Sequence, residues 1–330
     1  MGIRLTVLLG LLMILQPMAA KSNIDQQYMD VTFWNTGKVF SFMGNRNAKL
    51  HIKAFKNPNA KGQIIISHGF TESNAKYMEV AQALFEAGYS IYLPDHRGHG
   101  LSEGDTTKTS LVHVISFQDY TEDLLGVSKT FLREKLPRYI IAHSMGAAIA
   151  LGAMQKAPNF FDKAIFSAPM FQIKLGNMPE WVALSLCRVS HIFGLEENFL
   201  PGSGPPEYPI SFSATRATTS KKRFYRYMNY LKEHNYDVKW GGSFGWLKES
   251  ILYTRKITQK EKLQELKTPL LILQAGDDAY VKAEGMETLC SETNCKLIKF
   301  QDAKHEIYFE KDSTHSRWLS AVLSFLSGKN

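Results

Sequence analysis

Hydrophobic residues follow two different patterns along the chain, and each predicts a different kind of strand. Near the start, apolar and polar residues alternate, which is typical of antiparallel strands that present one face to a core. The alternating segments are Tyr28 to Trp34, Lys38 to Phe42 and Leu50 to Phe55. Farther along, short uninterrupted apolar runs predict strands that helices bury on both faces. These runs are Gln63 to Ser67, Ser90 to Leu93, Arg138 to Ala142, Ala164 to Ser167 and Pro269 to Gln274, and we predict a last strand at Lys296 to Phe300.

Segments with helical periodicity separate the apolar runs. They are Ala75 to Ala87, Phe117 to Glu134, Met145 to Ala157 and Thr314 to Leu326. Because strand and helix alternate, we predict an α/β fold with a mostly parallel, doubly wound central sheet and helices on both faces.

One interval, residues 169–265, interrupts this alternation. It contains no strand signal, and its helical segments are Glu180 to Phe193, Ser220 to Glu233 and Trp246 to Thr258. We therefore predict a helical cap, or lid, at residues 169–265, inserted into a core domain formed by residues 21–168 and 266–330.

The first 20 residues have the layout of a secretory signal peptide. Arg4 precedes an apolar run from Leu5 to Leu15, and Ala19 and Ala20 supply small residues at the end. The run is shorter than the roughly 20 apolar residues that span a bilayer. We predict export, to a periplasmic, secreted or peripherally membrane-associated location. Because Met18 is bulky for a cleavage site, the cut position and retention of the segment as an anchor stay open.

Composition excludes two classes of protein. With 12% aromatic residues, the chain has enough apolar surface to fold, so it is not a disordered protein. Three cysteines are too few for a disulfide scaffold. After export, Cys290 and Cys295 are either bridged or two free thiols, and the sequence leaves both possibilities open. Cys187 has no obvious partner.

Ser144 stands in the strongest local motif of the chain, Ala142-His143-Ser144-Met145-Gly146. The motif follows a predicted strand and precedes a helix, which is the context of a nucleophile elbow. Such a turn needs small residues two before and two after the serine, and Ala142 and Gly146 meet that need. Ser144 is therefore a candidate nucleophile, although an ordinary helix-capping serine fits the motif taken alone.

A serine nucleophile needs a base, and the base needs an acid that orients it. In this architecture the partners follow in the order Ser, Asp, His, each after a later strand. Asp277 and Asp278 follow the run that ends at Gln274, and His305 follows the last predicted strand. We assign His305 as the general base and Asp278 as its acid, with Asp277 as the reserve.

Two backbone amides are candidates for binding an oxyanion. The Met145 N–H lies at the start of the helix after Ser144, and the Phe70 N–H follows the first apolar run. Gly69 allows the backbone to approach closely. With these donors, Ser144 would attack an acyl carbonyl, and water would then release the acyl group from the enzyme. His68 is assigned a structural role, because the site already has its base.

Four stretches of the chain carry a family resemblance. They are the triplet His68-Gly69-Phe70 with Lys76-Tyr77, the loop Asp95 to Ser102, the elbow Ala142 to Gly146 and the octet His305 to Asp312. Together they resemble the lysophospholipase and monoacylglycerol lipase branch of the serine α/β-hydrolases, and the octet most resembles the bacterial membrane-associated lysophospholipases. The match covers nearly everything after about residue 30, although the cap matches only in being present.

The resemblance implies an α/β-hydrolase fold and hydrolysis of one ester bond to a glycerol or glycerophosphate head, without a metal or organic cofactor. It also implies that the loop Asp95 to Ser102 is structural and braces the site. Family members mostly carry Gly directly before one variable residue and the Asp. The sequence Ala275-Gly276-Asp277-Asp278 therefore favours Asp278 without excluding Asp277.

The net charge of +8 is concentrated in the predicted cap, because residues 170–260 contain 13 Lys and Arg against seven Asp and Glu. Apolar, aromatic and cationic side chains together suit an anionic membrane surface, with an acyl chain entering the cap. A solvated helix face over a packed core is the other interpretation for most of these residues. No nucleic-acid recognition motif accompanies them. We predict a lipid-ester substrate and peripheral membrane contact, and no nucleic acid.

Two other functions stay open. A serine hydrolase of the same fold that acts on soluble esters, thioesters or peptides would carry the same site residues. A non-catalytic binding protein would share the fold alone, and the intact Ser144, Asp278 and His305 argue against it. Serine at the nucleophile position disfavours a haloalkane or epoxide hydrolase, which would need Asp there.

Overall fold

An eight-stranded sheet lies at the centre of the computed structural model, which describes residues 31–208 and 210–328. In chain order the strands are β1 Lys38–Met43, β2 Lys49–Phe55, β3 Gln63–Ser67, β4 Ser90–Pro94, β5 Leu111–Val112, β6 Arg138–His143, β7 Lys163–Ser167, β8 Gly241–Gly242, β9 Leu270–Ala275 and β10 Cys295–Phe300. The central sheet has the order β1-β2-β4-β3-β6-β7-β9-β10. Its β1–β2 and β2–β4 pairings are antiparallel and the others are parallel, which confirms the predicted sheet.

Helices cover both faces of this sheet. They are α1 Val31–Thr36, α2 Met78–Glu86, α3 Phe117–Phe131, α4 Met145–Lys156, α5 Glu180–Ile192, α6 Lys221–Glu233, α7 Phe244–Ile257, α8 Lys260–Gln264, α9 Ala283–Glu292 and α10 Asp312–Ser327. Ile64 and Ile66 of β3 pack with α2 and α10 on one face, whereas Ile65 packs with α3 and α4 on the other. The uninterrupted apolar run of β3 therefore serves two cores at once.

The prediction of a first strand at Tyr28 to Trp34 is wrong for its described part, because Val31–Thr36 forms helix α1. Residues 28–30 lie outside the described residues. The rings of Phe33 and Trp34 both pack against Phe55, with centroid distances of 4.5 and 5.4 Å. Successive side chains of a strand point to opposite faces. A helical turn instead brings both rings to the same neighbour.

The interval between β7 and β9 contains α5 to α8, and also a strand that the sequence did not predict. This strand, β8, pairs in parallel with β5. Two glycines give no hydrophobic period, and the pairing uses backbone groups, so it leaves no signal in the sequence. The pair joins the interval to the chain just before α3. The function of residues 169–265 as a lid stays a prediction.

Arg223 of α6 connects this interval to the core. Its buried guanidinium donates to both carboxylate oxygens of Glu79 on α2, at 2.9 and 2.6 Å, and to the backbone oxygen of Glu310 at 2.5 Å. The carboxylate of Asp312, at the start of α10, lies 2.9 Å from it. Arg226 also pairs with Glu79, at 3.4 Å. These two cations are therefore used within the fold and do not contribute to a basic surface.

Cys290 and Cys295 form a disulfide, which resolves the alternative that the sequence left open. The bond links α9 to the first residue of β10, with a Cα–Cα distance of 5.1 Å. Cys187 is a buried free thiol, and burial raises its pKa. In the part of the chain that the structure describes, no helix is long and apolar enough to span a bilayer. The predicted signal peptide, residues 1–20, lies outside that part, so export stays a prediction.

Candidate active site

Ser144 lies at the turn between β6 and α4. Its φ of 50° and ψ of −118° are angles that a non-glycine residue rarely adopts, and strained turns of this kind expose a nucleophile. The turn packs closely against β3, since a Cβ on Gly146 would lie 2.2 Å from Ser67 O and 2.4 Å from His68 O. Glycine alone fits this approach. Ala142, on the other side of the serine, is buried.

His305 connects Ser144 to Asp278. Its Nε2 lies 2.8 Å from Ser144 Oγ, and its Nδ1 lies 2.7 Å from Asp278 Oδ2. All three residues are buried. When Nδ1–H donates to the carboxylate, Nε2 can accept the hydroxyl proton of Ser144. The structure thus brings the three residues that the sequence assigned as nucleophile, base and acid into one hydrogen-bonded chain.

The carboxylate of Asp278 is held by backbone amides as well as by His305. Its Oδ1 accepts hydrogen bonds from the amides of Tyr280 and Val281, at 2.8 and 3.0 Å. Burial alone would raise the pKa of Asp278, but the interactions with His305 and these amides outweigh burial and lower the pKa. The carboxylate is therefore ionised at neutral pH and can stabilise a protonated imidazole.

Asp277, the reserve acid, has a different environment. The residue is exposed, and its backbone amide donates to Ala303 O at 3.0 Å. Of the two acids that the sequence left open, the structure places Asp278 beside the base.

The two predicted oxyanion donors lie close to Ser144. Met145 is the first residue of α4, and Phe70 lines the same cavity as Ser144. Among the described residues, neither of these two backbone amides has a hydrogen-bond acceptor. Amides left available beside a nucleophile suit a developing negative charge. The assignment of Phe70 and Met145 as donors stays a prediction.

His68 and Asp95 hold the backbone around the site. The Nδ1 of His68 donates to Gly69 O at 2.8 Å and its Nε2 accepts from the His96 amide at 2.9 Å, so both ring nitrogens are used structurally. Asp95, in the loop expected to brace the site, accepts a hydrogen bond from the Asn74 amide at 2.6 Å. Both contacts fix the segment that follows β3.

Sequence reasoning missed a cluster of three charged side chains beside the site, namely Glu72, Lys76 and Glu306. They line the same cavity as Ser144. Lys76 Nζ lies 3.1 Å from Glu72 Oε1 and 2.5 Å from Glu306 Oε1. Lys76 and Glu306 are 230 positions apart, and no local pattern can connect residues at such a separation. Lys76 and Glu306 lie in stretches that carry the family resemblance, but the sequence did not indicate that they meet. Glu72 lies four residues before Lys76, and its carboxylate accepts a hydrogen bond from the Gly69 amide at 2.7 Å.

Lys76 and Glu72 stay charged in this cluster. Burial would lower the pKa of Lys76, but the carboxylates of Glu306 and Glu72 outweigh burial and raise it. Burial would raise the pKa of Glu72, but Lys76 and other neighbours hold it well below its usual range. The pKa of Glu306 is raised, because burial outweighs the attraction of Lys76. One cation is therefore shared by two carboxylates of unequal acidity.

Two buried histidines near the site do not compete with His305 as a base. Burial lowers the pKa of His143 and of His99 to about 3 in each case. The Nδ1 of His143 donates to Ser167 O at 3.0 Å, and the Nδ1 of His99 donates to Arg97 O at 3.0 Å. Both rings are therefore neutral at pH 7 and serve the packing.

We expect the free energy of unfolding to fall as the pH is lowered from about 6.5 toward 3. In the unfolded chain His99 and His143 bind a proton near their ordinary pKa, whereas in the folded chain they resist protonation until about pH 3. The unfolded state binds more protons in this window, so each histidine removes up to about 1.4 kcal/mol per pH unit. Urea unfolding at several pH values measures the slope. His99→Gln should make it shallower, and an unchanged slope would contradict the prediction.

A cavity of about 370 Å³ opens at Ser144 and His305. Its walls include many apolar side chains from the core and from the interval between β7 and β9, among them Met170, Ile173, Phe224, Leu231, Val238 and Trp246. The charged lining residues are Glu72, Lys76, Lys174, Lys239 and Glu306. The volume lies in the range of small-molecule sites. Ser144 therefore faces a space that has both apolar walls and charged groups.

A model of the family described as serine aminopeptidase, S33, matches residues 58–312. Among curated proteins, lysophospholipase L2 of Escherichia coli (strain K12) is 28% identical over 312 residues, which cover 90% of this chain and 90% of that protein. A monoacylglycerol lipase of Mycolicibacterium smegmatis is 31% identical over 128 residues, which cover 38% of this chain and 44% of that protein.

Solved structures share the fold of this chain. A soluble variant of monoglyceride lipase from Saccharomyces cerevisiae, in complex with a substrate analog, matches with a TM-score of 0.70 and 19% identity, covering 89% of this chain and 95% of that one. A thermostable carboxyl esterase from Bacillus coagulans, in complex with glycerol, matches with a TM-score of 0.65 and 16% identity, covering 88% and 98%. At these identities the likeness is one of fold.

Proposed function

This chain belongs to the serine aminopeptidase S33 family of α/β-hydrolases, and on that premise we propose that it cleaves the single acyl ester of a lysophospholipid or a monoacylglycerol. The observation that carries the proposal is the cavity at Ser144, whose apolar walls suit one acyl chain and whose charged residues suit a polar head. The relatives named lysophospholipase L2 and monoacylglycerol lipase support it.

The first half of the reaction forms an acyl-enzyme. Ser144 Oγ attacks the ester carbonyl carbon while its proton passes to His305 Nε2, and Asp278 stabilises the imidazolium through Nδ1–H. The carbonyl oxygen becomes an oxyanion, which the amides of Phe70 and Met145 bind. The bond to the alcohol oxygen then breaks, and His305 returns the proton to that oxygen. The glycerol-containing head leaves as an alcohol.

The second half releases the fatty acid. Water enters where the alcohol left, and His305 Nε2 removes its proton as the oxygen attacks the acyl carbon. The same two amides bind the second oxyanion. When this intermediate collapses, His305 returns the proton to Ser144 Oγ, and the chain is ready for another substrate. None of these steps requires a group from outside the chain other than water.

A substrate panel tests the proposal. Purified protein is given lysophospholipids and monoacylglycerols of increasing acyl length, soluble short-chain esters, an acyl thioester and an aminoacyl anilide, and product release is measured against the Ser144→Ala variant as the blank. We expect kcat/KM to be highest for long single-chain lipids. Higher kcat/KM for short soluble esters, the thioester or the anilide would replace the proposal by the corresponding esterase, thioesterase or peptidase. Absence of Ser144 labelling by a fluorophosphonate would favour a binding protein.

We also propose that the chain is exported and contacts an anionic membrane through α5 and its flanking residues. This helix and the residue directly after it present large apolar side chains to solvent. The fractional exposure is 70% for Trp181 and 77% for Ile192 in the helix, and 72% for Phe193 after it. Arg188, on the same helix, is also exposed. Aromatic and aliphatic residues beside a cation favour the interface of an anionic bilayer. Arg223 and Arg226, two of the 13 cations counted in residues 170–260, are not part of this surface, because they bind Glu79.

The double variant Ile192→Ser/Phe193→Ser should reduce partitioning onto vesicles of phosphatidylglycerol and phosphatidylcholine by about tenfold or more, because two large apolar side chains no longer enter the interface. Vesicle sedimentation measures the change. Val39→Ser is the matched control, because Val39 is 58% exposed but lies on strand β1 of the core. Equal vesicle binding by all three proteins would remove α5 from the proposal.

A further inference from the structure

Lys76 and Glu306 form an ion pair inside the proposed substrate cavity. The Nζ–Oε1 distance is 2.5 Å, and the two side chains are 8% and 11% exposed. Burying such a pair is seldom favourable compared with apolar residues of the same size, since desolvation offsets the attraction. Its presence in a cavity with apolar walls therefore calls for a reason other than stability.

The other carboxylate of the cluster, Glu72, has a clear structural role, and Glu306 does not share it. Glu72 accepts hydrogen bonds from the Gly69 amide and from the hydroxyls of Tyr77 and Tyr308, at 2.7, 2.8 and 2.7 Å. It therefore fixes the loop of the predicted oxyanion donor Phe70. The carboxylate of Glu306 contacts Lys76 but takes part in no such framework. Glu306 is thus the member of the cluster that a ligand can engage without disturbing the loop.

Aromatic rings make this part of the cavity suitable for a cation. Lys76 Nζ lies 5.4 Å from the ring centroid of Tyr227 and 4.9 Å from that of Phe309. Tyr280, another lining residue, has its ring 5.1 Å from that of His305. Ring faces attract ammonium groups, including quaternary ones. A second cation near Glu306 would therefore find both a carboxylate and aromatic surface.

From this arrangement we infer that Lys76 and Glu306 together recognise a zwitterionic head group, with the phosphate on Lys76 and the amine of a phosphoethanolamine or phosphocholine on Glu306. The inference rests on the proposed function and sharpens it, because it selects lysophospholipids of this charge over monoacylglycerols. It gives Glu306, directly after the base His305, the role of a specificity-determining residue.

Exchange of partners explains why such a head group is preferred. A bound zwitterion replaces the Lys76–Glu306 contact by two new ion pairs, so no charge is left without a partner. A glycerol head offers only hydroxyls and leaves the internal pair as it was. An anionic head without an amine takes Lys76 from Glu306 and leaves that carboxylate buried beside a phosphate. The expected order is therefore zwitterionic first, then neutral, then anionic.

Three substrates with the same palmitoyl chain test this order: lysophosphatidylethanolamine, monopalmitoylglycerol and lysophosphatidylglycerol. The measured quantity is kcat/KM in mixed detergent micelles, where membrane binding is common to all three. For the wild-type chain we expect the zwitterionic lipid to exceed each of the others by about tenfold or more. Glu306→Gln should lower the ratio of the zwitterionic to the anionic lipid by about tenfold. The double variant Lys76→Gln/Glu306→Gln should also lower the ratio of kcat/KM for the zwitterionic lipid to kcat/KM for the neutral lipid.

Glu79→Gln is the control, because Glu79 pairs with Arg223 but does not line the cavity, so it should leave both ratios within about twofold. The rate of Ser144 labelling by a fluorophosphonate reports whether each variant has a folded site. Glu306→Gln leaves Lys76 paired with Glu72, whereas in the double variant the Glu72 carboxylate keeps only its hydrogen bonds from the Gly69 amide and two tyrosine hydroxyls. Ratios that do not change in a labelled variant, or equal wild-type activity on all three lipids, overturn the inference while the proposed function stands. Failure of the wild-type chain on every long-chain lipid overturns the proposed function itself.

Discussion

Ser144→Ala is expected to lower kcat by about a million-fold, the loss typical of removing the nucleophile from a serine hydrolase. The substitution removes the hydroxyl that His305 Nε2 contacts at 2.8 Å and leaves no oxygen to form the acyl-enzyme. Turnover of the best substrate in the panel measures the effect. The melting temperature should change little, because one hydroxyl is lost and alanine takes the same backbone turn.

Ser128→Ala is the matched control for this variant. Ser128 is also a buried serine, but its hydroxyl donates to Leu124 O within α3, away from the cavity. Its activity should stay within about twofold of wild type. Substantial turnover by Ser144→Ala would mean that another group is the nucleophile, and the mechanism above would have to be abandoned.

Asp278→Asn should lower kcat by about ten thousand-fold. The side-chain oxygen of the new asparagine can still accept hydrogen bonds from the backbone amides of Tyr280 and Val281, so the fold is retained. The uncharged side chain no longer holds Nδ1–H of His305 or stabilises the imidazolium. Asp277→Asn, at the exposed neighbouring position, should stay within about twofold. Steady-state kinetics on both variants decides between the two acids, and the reverse order of effects would move the acid to Asp277.

Local chemistry explains why so much of the core could be predicted from the sequence. The runs around Ile64 and Ile140 are apolar on both strand faces because two helical layers cover them. An uninterrupted apolar run of this kind is visible in the sequence itself. The elbow could also be recognised, because the close approach of its turn to Ser67 and His68 requires glycine at Gly146, two residues after Ser144. Each of these features leaves its pattern within a few consecutive residues of the sequence.

The features that could not be predicted from the sequence depend on contacts between distant segments. The choice between Asp277 and Asp278 depends on which carboxylate meets His305 across the site, and both lie at the same strand end. α1 was misread because its packing partner, Phe55, lies outside the segment. β8 has two glycines and no side chains to read. Lys76 and Glu306 are 230 positions apart in the sequence, so their contact appears only after folding.

The Arg223 contacts hold one wall of the cavity in place. Moving α6 outward would separate Arg223 from Glu79 and Asp312 and leave a buried charge unpaired, at a cost of about 3–5 kcal/mol. Four side chains of α6 line the cavity, namely Phe224, Tyr227, Met228 and Leu231. The wall that they form is therefore held to the core by a buried charge. Any passage of substrate or product that required α6 to move would carry this cost, so we expect the α6 wall to stay in place during turnover.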